Sequence, residues 1–77
     1  MRELVEHMAK ALVNKPEAAV VTETATENEG EIELILKVAL EDMGKVIGKQ
    51  GRIAKAMRAV LKAAAAKEGK KANLEIE

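Results

Sequence analysis

The spacing of apolar side chains changes along the chain and predicts six elements. Apolar residues recur every three to four positions near the N-terminus and in the second half, and they alternate with polar residues in the segments between and after. Helical spacing indicates amphipathic helices, whereas alternation indicates half-buried strands. The pattern predicts the order helix, strand, strand, helix, helix, strand, at residues 2 to 13, 18 to 26, 31 to 38, 41 to 47, 51 to 67 and 72 to 77.

Turn-forming residues separate the predicted elements. Asn14-Lys15-Pro16 ends the first helix, since Asn tolerates the left-handed conformation of a helix exit and Pro cannot continue a helix. Asn28-Glu29-Gly30 joins the first two strands into a hairpin. Gly48 stops the short helix and Gly69 stops the long one. We expect residues 1 to 77 to form a single α+β domain with helices packed on one face of a three-stranded sheet.

Each of the two longer helices has a predicted apolar face. The sequence contains 14 alanines and no aromatic residue, so the core must be thin and built from Val, Ile, Leu and Met. The alanine run from residue 63 to 66 suits a dimer interface with close backbone approach, and it equally suits a helix lying on its own sheet. The predicted faces are Leu4, Val5, Met8, Ala11 and Leu12 in the first helix, and Ile53, Met57, Val60, Leu61 and Ala64 in the long one.

The composition argues against an enzyme. The chain has no cysteine and no serine, and its threonines lie in one predicted strand, so no nucleophile constellation is present. His7 is the lone histidine, and the acids Glu41 and Asp42 are explained by the favourable dipole at a helix start. No apolar stretch reaches the roughly 20 residues of a membrane span, and acids near the N-terminus are unlike a signal peptide. We therefore expect a cytoplasmic protein without enzymatic activity.

Charge is distributed unevenly although the formal net charge is zero. Residues 1 to 44 hold four basic and ten acidic side chains, whereas residues 45 to 77 hold nine basic and three acidic ones. The stretch from Lys45 to Lys62 contains no acid, and in the long helix its basic residues fall within a sector of about 120°. Such a stretch is typical of a surface that binds a polyanion.

The segment Gly48-Lys49-Gln50-Gly51 joins the two adjacent helices at the start of this basic stretch. Glycines let the backbone approach a ligand closely and adopt turns that are closed to other residues. The first N–H groups of the following helix are unpaired, and the helix dipole makes this end attractive to anions. The loop therefore predicts a phosphate-binding site, in which Lys45, Lys49 and Arg52 supply full charges.

The segment from Val46 to Ile53 resembles the signature of KH domains, whose loop clamps about four nucleotides. The order of elements is that of the type II KH fold, and nearly the whole chain is similar to the small bacterial single-KH proteins of the KhpA family. This resemblance implies an RNA-binding protein that acts as an RNA chaperone or post-transcriptional regulator without a cofactor. It also implies partners, either a second copy or a larger KH-containing RNA-binding protein.

The resemblance assigns contacts residue by residue. It implies that the loop contacts phosphates, and that Ile47, Ile53, Ala54 and strand residues such as Ile35 and Leu36 line a groove for the bases. Which strand face forms the groove is left open. Two alternatives also remain open, a protein-protein module that has lost RNA binding and a binder of single-stranded DNA. The predicted RNA-binding residues are Lys45, Ile47, Gly48, Lys49, Gln50, Gly51, Arg52, Ile53, Ala54 and Lys55.

Overall fold

The computed structural model describes all 77 residues and confirms the predicted order of elements. Short 3₁₀ turns at Pro16–Ala18, Leu40–Asp42 and Lys49–Gly51 lie in the connections. Each predicted end lies within two residues of the observed one. The helices and strands are α1 Arg2–Leu12, β1 Val20–Ala25, β2 Glu31–Lys37, α2 Met43–Ile47, α3 Arg52–Lys67 and β3 Lys71–Ile76.

The strands form one mixed sheet in the order β1-β2-β3. β1 runs antiparallel to β2, with Val21 opposite Leu36, and β3 runs parallel to β2, with Leu74 opposite Leu34. A tight turn cannot join two parallel strands, so α2 and α3 form the crossover from β2 to β3. The loop between these two helices therefore lies on the helical side of the sheet.

The core lies between one face of the sheet and the three helices, which confirms the predicted α+β fold. Eleven buried side chains form one cluster, and those from the strands share a single sheet face, since they alternate with exposed or half-buried residues. The other face carries Val20, which is exposed, and Ile35, which is half-buried. The cluster is Val5, Ala9, Val21, Leu34, Leu36, Val46, Met57, Leu61, Ala65, Ala72 and Leu74.

Both long helices are rotated from the orientation that their apolar patterns predict. In α1 the structure buries Ala9 together with Val5 and leaves Leu12 37% exposed. In α3 it buries Ala54 and Ala65, whereas Val60 is 46% exposed. Met57 and Leu61 are buried as predicted, but Ala54 and Ala65 share the buried face with them, where the pattern placed Ile53, Val60 and Ala64. The predicted faces were therefore only partly correct.

Candidate nucleic-acid interface

The turn between α2 and α3 has the backbone that its glycines predict. Gly48 has φ 75° and ψ 174°, a region that is essentially restricted to glycine. Gly51 (φ 74°, ψ 15°) and Gln50 (φ 57°, ψ 26°) lie in the left-handed helical region. The Gly51 N–H donates to the Gly48 carbonyl at 3.1 Å and closes the turn. The four-residue loop is therefore an ordered turn with two positions that favour glycine.

Gly48 is also restricted by a neighbouring side chain. A Cβ atom added at this position would lie 2.6 Å from Cγ1 of Ile53 and 2.9 Å from its Cβ. A Cβ at Gly51 would meet no atom within 4 Å. The two glycines therefore differ. At Gly48 both the backbone conformation and the close approach of Ile53 require glycine, whereas at Gly51 only the backbone conformation does.

Lys49 and Gln50 form the exposed tip of the loop. The N-cap of α3 is Gly51, and no side chain accepts a hydrogen bond from the first turn of the helix. The N–H groups at this end are therefore not competed for by a capping side chain, and the dipole of a 16-residue helix favours an anion there. The Gly51 and Arg52 N–H groups already donate to the Gly48 and Lys49 carbonyls, so the helix dipole and the Lys49 ammonium are what attract an anion to the exposed loop.

The cations around the loop are free of ion pairs. The four salt bridges of the structure join the N-terminus to Glu3, Lys10 to Glu6, Lys15 to Glu41 and Lys70 to Glu68, all outside this region. Unpaired cations leave their full charge available to a polyanion. The unpaired cations of the loop and its flanks are Lys45, Lys49, Arg52 and Lys55, and Arg58, Lys62 and Lys67 are further unpaired cations toward the far end of α3.

Most of the predicted RNA-binding residues lie together at this end of the helix pair. Lys45 and Ile47 are half-buried in α2, and Ile53 is half-buried beneath Gly48. Arg52 and Lys55 are exposed on α3. The loop and its flanking cations thus lie on the end of α2, the turn and the first turn of α3.

Three of the apolar assignments do not fit the structure. Ala54 is only 4% exposed, so its contact with a base is not supported. Leu36 is fully buried in the core, and Ile35 lies on the opposite sheet face from the helices. Side-chain alternation forces this separation, because neighbouring residues of a strand point to opposite faces. Neither strand residue lines a groove beside the loop.

A buried carboxylate fixes the helix that leads into the loop. Asp42 is fully buried and accepts the backbone N–H groups of Asn14 at 3.2 Å and Lys15 at 3.0 Å. It does not cap α2 with its side chain, so the predicted role of this acid at the helix start was incomplete. The neighbouring Glu41 carboxylate hydrogen-bonds to Lys15 and raises the pKa of that ammonium. Asp42 thereby ties the exit of α1 to the start of α2.

Sequence reasoning missed two features beside α3. The first is an apolar groove between α1 and α3. It was missed because the apolar pattern placed Leu12 and Val60 on buried faces, whereas both side chains are exposed in the structure. The second is the Arg58 side chain, whose Nε donates to the Leu74 carbonyl on β3 at 3.2 Å. No sequence signal predicts this bond, since it depends on the angle at which α3 crosses β3. The apolar groove is lined by His7, Met8, Ala11, Leu12, Arg52, Ile53, Ala56, Met57 and Val60.

No three His, Asp or Glu side chains lie close enough together to hold a metal ion. None of the helices has the length and apolar character needed to span a membrane. Near the N-terminus, the Glu3 carboxylate accepts a hydrogen bond from the Glu3 backbone N–H and lies close to the terminal ammonium. Both interactions lower the pKa of Glu3. The loop and its cations remain the candidate site.

Comparison with known proteins identifies the family. The model of the KhpA/KhpB KH domain matches residues 2 to 76. The chain belongs to the KhpA/KhpB family of KH domains. The predicted resemblance to KhpA is therefore confirmed over nearly the whole chain.

Relatives of this KhpA/KhpB-type domain carry the name RNA-binding protein KhpA. The protein from Clostridium perfringens is 63% identical over 76 residues, which cover 99% of both chains. The protein from Clostridium acetobutylicum is 58% identical with the same coverage. The Listeria monocytogenes protein is 47% identical over 99% of this chain and 97% of its own.

Two solved structures of Era share the fold of this KH domain. Era from Aquifex aeolicus bound to GDP and aluminium fluoride matches with a TM-score of 0.68 and 19% identity. Era in complex with MgGDPNP and nucleotides 1506–1542 of 16S ribosomal RNA matches with a TM-score of 0.57 and 23% identity. Each match covers 97% of this chain and 28% of the Era chain, and at these identities it shows the fold alone.

Proposed function

We propose that this KH domain binds single-stranded RNA and seats about four nucleotides on the Gly48-Lys49-Gln50-Gly51 loop. The observation that carries the proposal is the convergence of an exposed lysine, an uncapped helix N-terminus and unpaired cations at one glycine turn. The names of its relatives, which describe RNA-binding proteins, support the same function.

The affinity of this site should be modest. The chain has no Phe, Tyr or Trp, so no aromatic side chain can stack on a base. Base-aromatic stacking contributes about 1–3 kcal/mol per base in many single-strand binders. Binding must therefore rest on phosphate contacts, packing against half-buried apolar residues such as Ile47 and Ile53, and hydrogen bonds to base edges.

Titration with matched nucleic acids tests this function. We expect fluorescence anisotropy to show that a labelled single-stranded RNA of about eight nucleotides, twice the length clamped by a KH loop, binds more tightly than an RNA duplex of equal charge. A bare electrostatic surface would prefer the duplex, whose phosphates are more closely spaced. Equal or tighter duplex binding would contradict the proposal, and a single-stranded DNA of the same sequence in parallel separates RNA from DNA preference.

The biological role that fits such a site is that of a cytoplasmic RNA chaperone or post-transcriptional regulator. Residues 1 to 77 would act as one KH domain that works by binding rather than catalysis. Weak contacts to the RNA backbone suit transient holding of single strands, because they release the RNA without reading a long sequence. Acceleration of the annealing of two complementary RNA strands would support a chaperone role.

The apolar groove supports association with a second copy of the chain. A symmetric dimer brings the same patch of both copies together, so a strongly charged patch would repel itself. The basic side of α3 and the acidic β1-β2 hairpin are such strongly charged patches. The groove is different, since Arg52 and His7 are the only ionisable residues among those that line it. Leu12 and Val60 are its most exposed large apolar side chains, and exposed alanines beside them permit close helix approach.

Replacing Val60 with Glu should convert such a dimer to a monomer. Val60 is 46% exposed in the groove, so the change leaves the core intact but places two carboxylates in one apolar interface. Sedimentation velocity measures the result, with Ala59→Glu as a control of equal charge outside the groove lining. A monomeric parent, or a Val60→Glu variant that still dimerises, would contradict self-association, and addition of a larger KH protein would then test the heterodimer.

A further inference from the structure

Asp42 is the only charged or polar residue that the fold buries, and it takes part in no salt bridge. Burial of a carboxylate is costly unless hydrogen bonds satisfy its oxygens. Here one oxygen accepts the N–H of Asn14 and the other accepts the N–H of Lys15. The carboxylate thus joins two segments that lie 27 residues apart along the chain.

α2 follows Asp42 directly and is too short to fix its own orientation. It has five residues, and isolated helices of fewer than about 12 residues are marginal in water. Its direction therefore depends on what holds it in the fold. Val46 is its one buried residue and anchors the C-terminal half in the core cluster. Asp42 anchors the other end to the exit of α1.

The glycine loop begins where α2 ends. The Gly48 N–H donates to the Gly44 carbonyl at 2.8 Å, so the first residue of the loop is still bonded to the helix. Asp42 and Gly48 are separated by about 9 Å of helical rise, and a tilt of about 10° at Asp42 would move Gly48 by about 1.5 Å. The position of the loop therefore depends on the anchor at the start of α2.

We propose that Asp42 is a positioning residue for RNA binding, which holds α2 so that the glycine loop presents its phosphate site. This inference rests on the RNA-binding function proposed above, and it gives Asp42 no contact with RNA, because the side chain is buried. Removal of a carboxylate makes the chain more positive, so electrostatics alone predicts tighter RNA binding by an Asp42 variant. Loss of positioning predicts weaker binding, and the two explanations therefore differ in sign.

Asp42→Asn and Glu41→Gln make the same change of charge at adjacent positions. Both are titrated with single-stranded RNA by fluorescence anisotropy, under conditions in which circular dichroism shows a folded chain. The Asn amide group keeps the size of the carboxylate but cannot accept the second N–H, so binding should weaken by about threefold or more. Glu41 is exposed and pairs with the exposed Lys15 ammonium, so Glu41→Gln should bind RNA as tightly as the parent or slightly more tightly.

A destabilised control separates positioning from a general loss of stability. Val21→Ala removes volume from the core at β1, outside α2, the loop and α3, and should also lower the free energy of unfolding. Its folded fraction should nevertheless bind RNA like the parent. The amide chemical shifts of Gly48 and Gly51 report the loop directly, and they should move in Asp42→Asn but not in Val21→Ala.

Hydrogen exchange in the unaltered chain tests the same coupling without a variant. Coupling between two sites is reciprocal, so RNA bound at the loop should slow exchange of the Asn14 and Lys15 N–H groups that Asp42 accepts. The Glu31 N–H, which donates to the Asn28 carbonyl in the hairpin turn, is the reference and should exchange at the same rate with and without RNA.

The outcomes separate this inference from the proposed function. If the parent binds RNA and Asp42→Asn binds as tightly as Glu41→Gln, the loop function stands and the positioning role is wrong. Equal loss of affinity in Val21→Ala and Asp42→Asn would also overturn it, since the effect would then be stability alone. If Asp42→Asn does not fold, exchange at Asn14 and Lys15 decides, and no slowing by RNA contradicts the role. A parent that binds no RNA removes the proposed function and this inference together.

Discussion

Replacing Lys49 and Gln50 with Asp is expected to reduce RNA affinity by roughly 30-fold or more. Each new carboxylate about 6 Å from a phosphate costs about 0.7 kcal/mol in water, and loss of the Lys49 charge removes an attraction of similar size. The three terms add to about 2 kcal/mol, and every 1.4 kcal/mol is a factor of ten. Anisotropy titration of single-stranded RNA with parent and double variant measures the loss.

The double variant should remain folded, so the loss can be assigned to the site. Both side chains are exposed. Gln50 has φ 57°, and Asp is among the residues that tolerate the left-handed region. An acid at the start of α3 is favourable to the helix dipole, so the free energy of unfolding should fall little. Circular dichroism can follow unfolding, whereas intrinsic fluorescence cannot, because the chain has no aromatic residue.

A variant with an equal change of charge controls for the overall electrostatic effect. Ala66→Glu together with Lys67→Glu also changes the net charge by −3, at exposed positions near the other end of α3. These positions lie about 24 Å from Gly51, more than two Debye lengths of about 8–10 Å. We expect this control to bind RNA within about threefold of the parent. Binding by the loop variant that equals the control would show that the loop is not the site.

The glycine loop could be predicted from the sequence because its determinants are local. Gly48 and Gly51 are the residues that accept positive φ, and the cations that flank them lie within a few positions along the chain. The order of elements was equally accessible, since periodicity distinguishes α3 from the strands on either side. These features depend on neighbours in sequence and not on packing.

The surfaces on the two sides of α3 could not be predicted, because they depend on how the helix is rotated against the sheet. The apolar pattern placed Val60 on the buried face of α3 and left out Ala54, because it does not show how the helix is rotated against β3. The structure instead buries Ala54 and exposes Val60. Contact between Arg58 and Leu74 follows from the same rotation, so it is a tertiary property that no local pattern contains.

Replacing Gly48 with Ala should destabilise the domain more than replacing Gly51 with Ala. Gly48 lies in a backbone region where a side chain costs about 1–3 kcal/mol, and its new Cβ would also lie 2.6 Å from Ile53. Gly51 lies in the left-handed region, where Ala costs about 1–2 kcal/mol and meets no neighbour. Urea unfolding followed by circular dichroism should show a lower free energy of unfolding for Gly48→Ala, by about 1–2 kcal/mol.

A double-mutant cycle with Ile53→Ala separates the two causes. Removal of Cγ1 and Cδ1 of Ile53 relieves the contact but not the backbone strain, so the double variant should be more stable than the sum of single effects predicts, by about 0.5–3 kcal/mol. Zero coupling would mean that the backbone alone restricts this position.

RNA affinity adds a second readout, because Gly48→Ala should weaken binding even where circular dichroism shows a folded chain. If the double variant Gly48→Ala, Ile53→Ala binds RNA more tightly than Gly48→Ala alone, the contact with Ile53 affects binding through the shape of the turn. If it does not, the backbone conformation of Gly48 itself is required for the phosphate site.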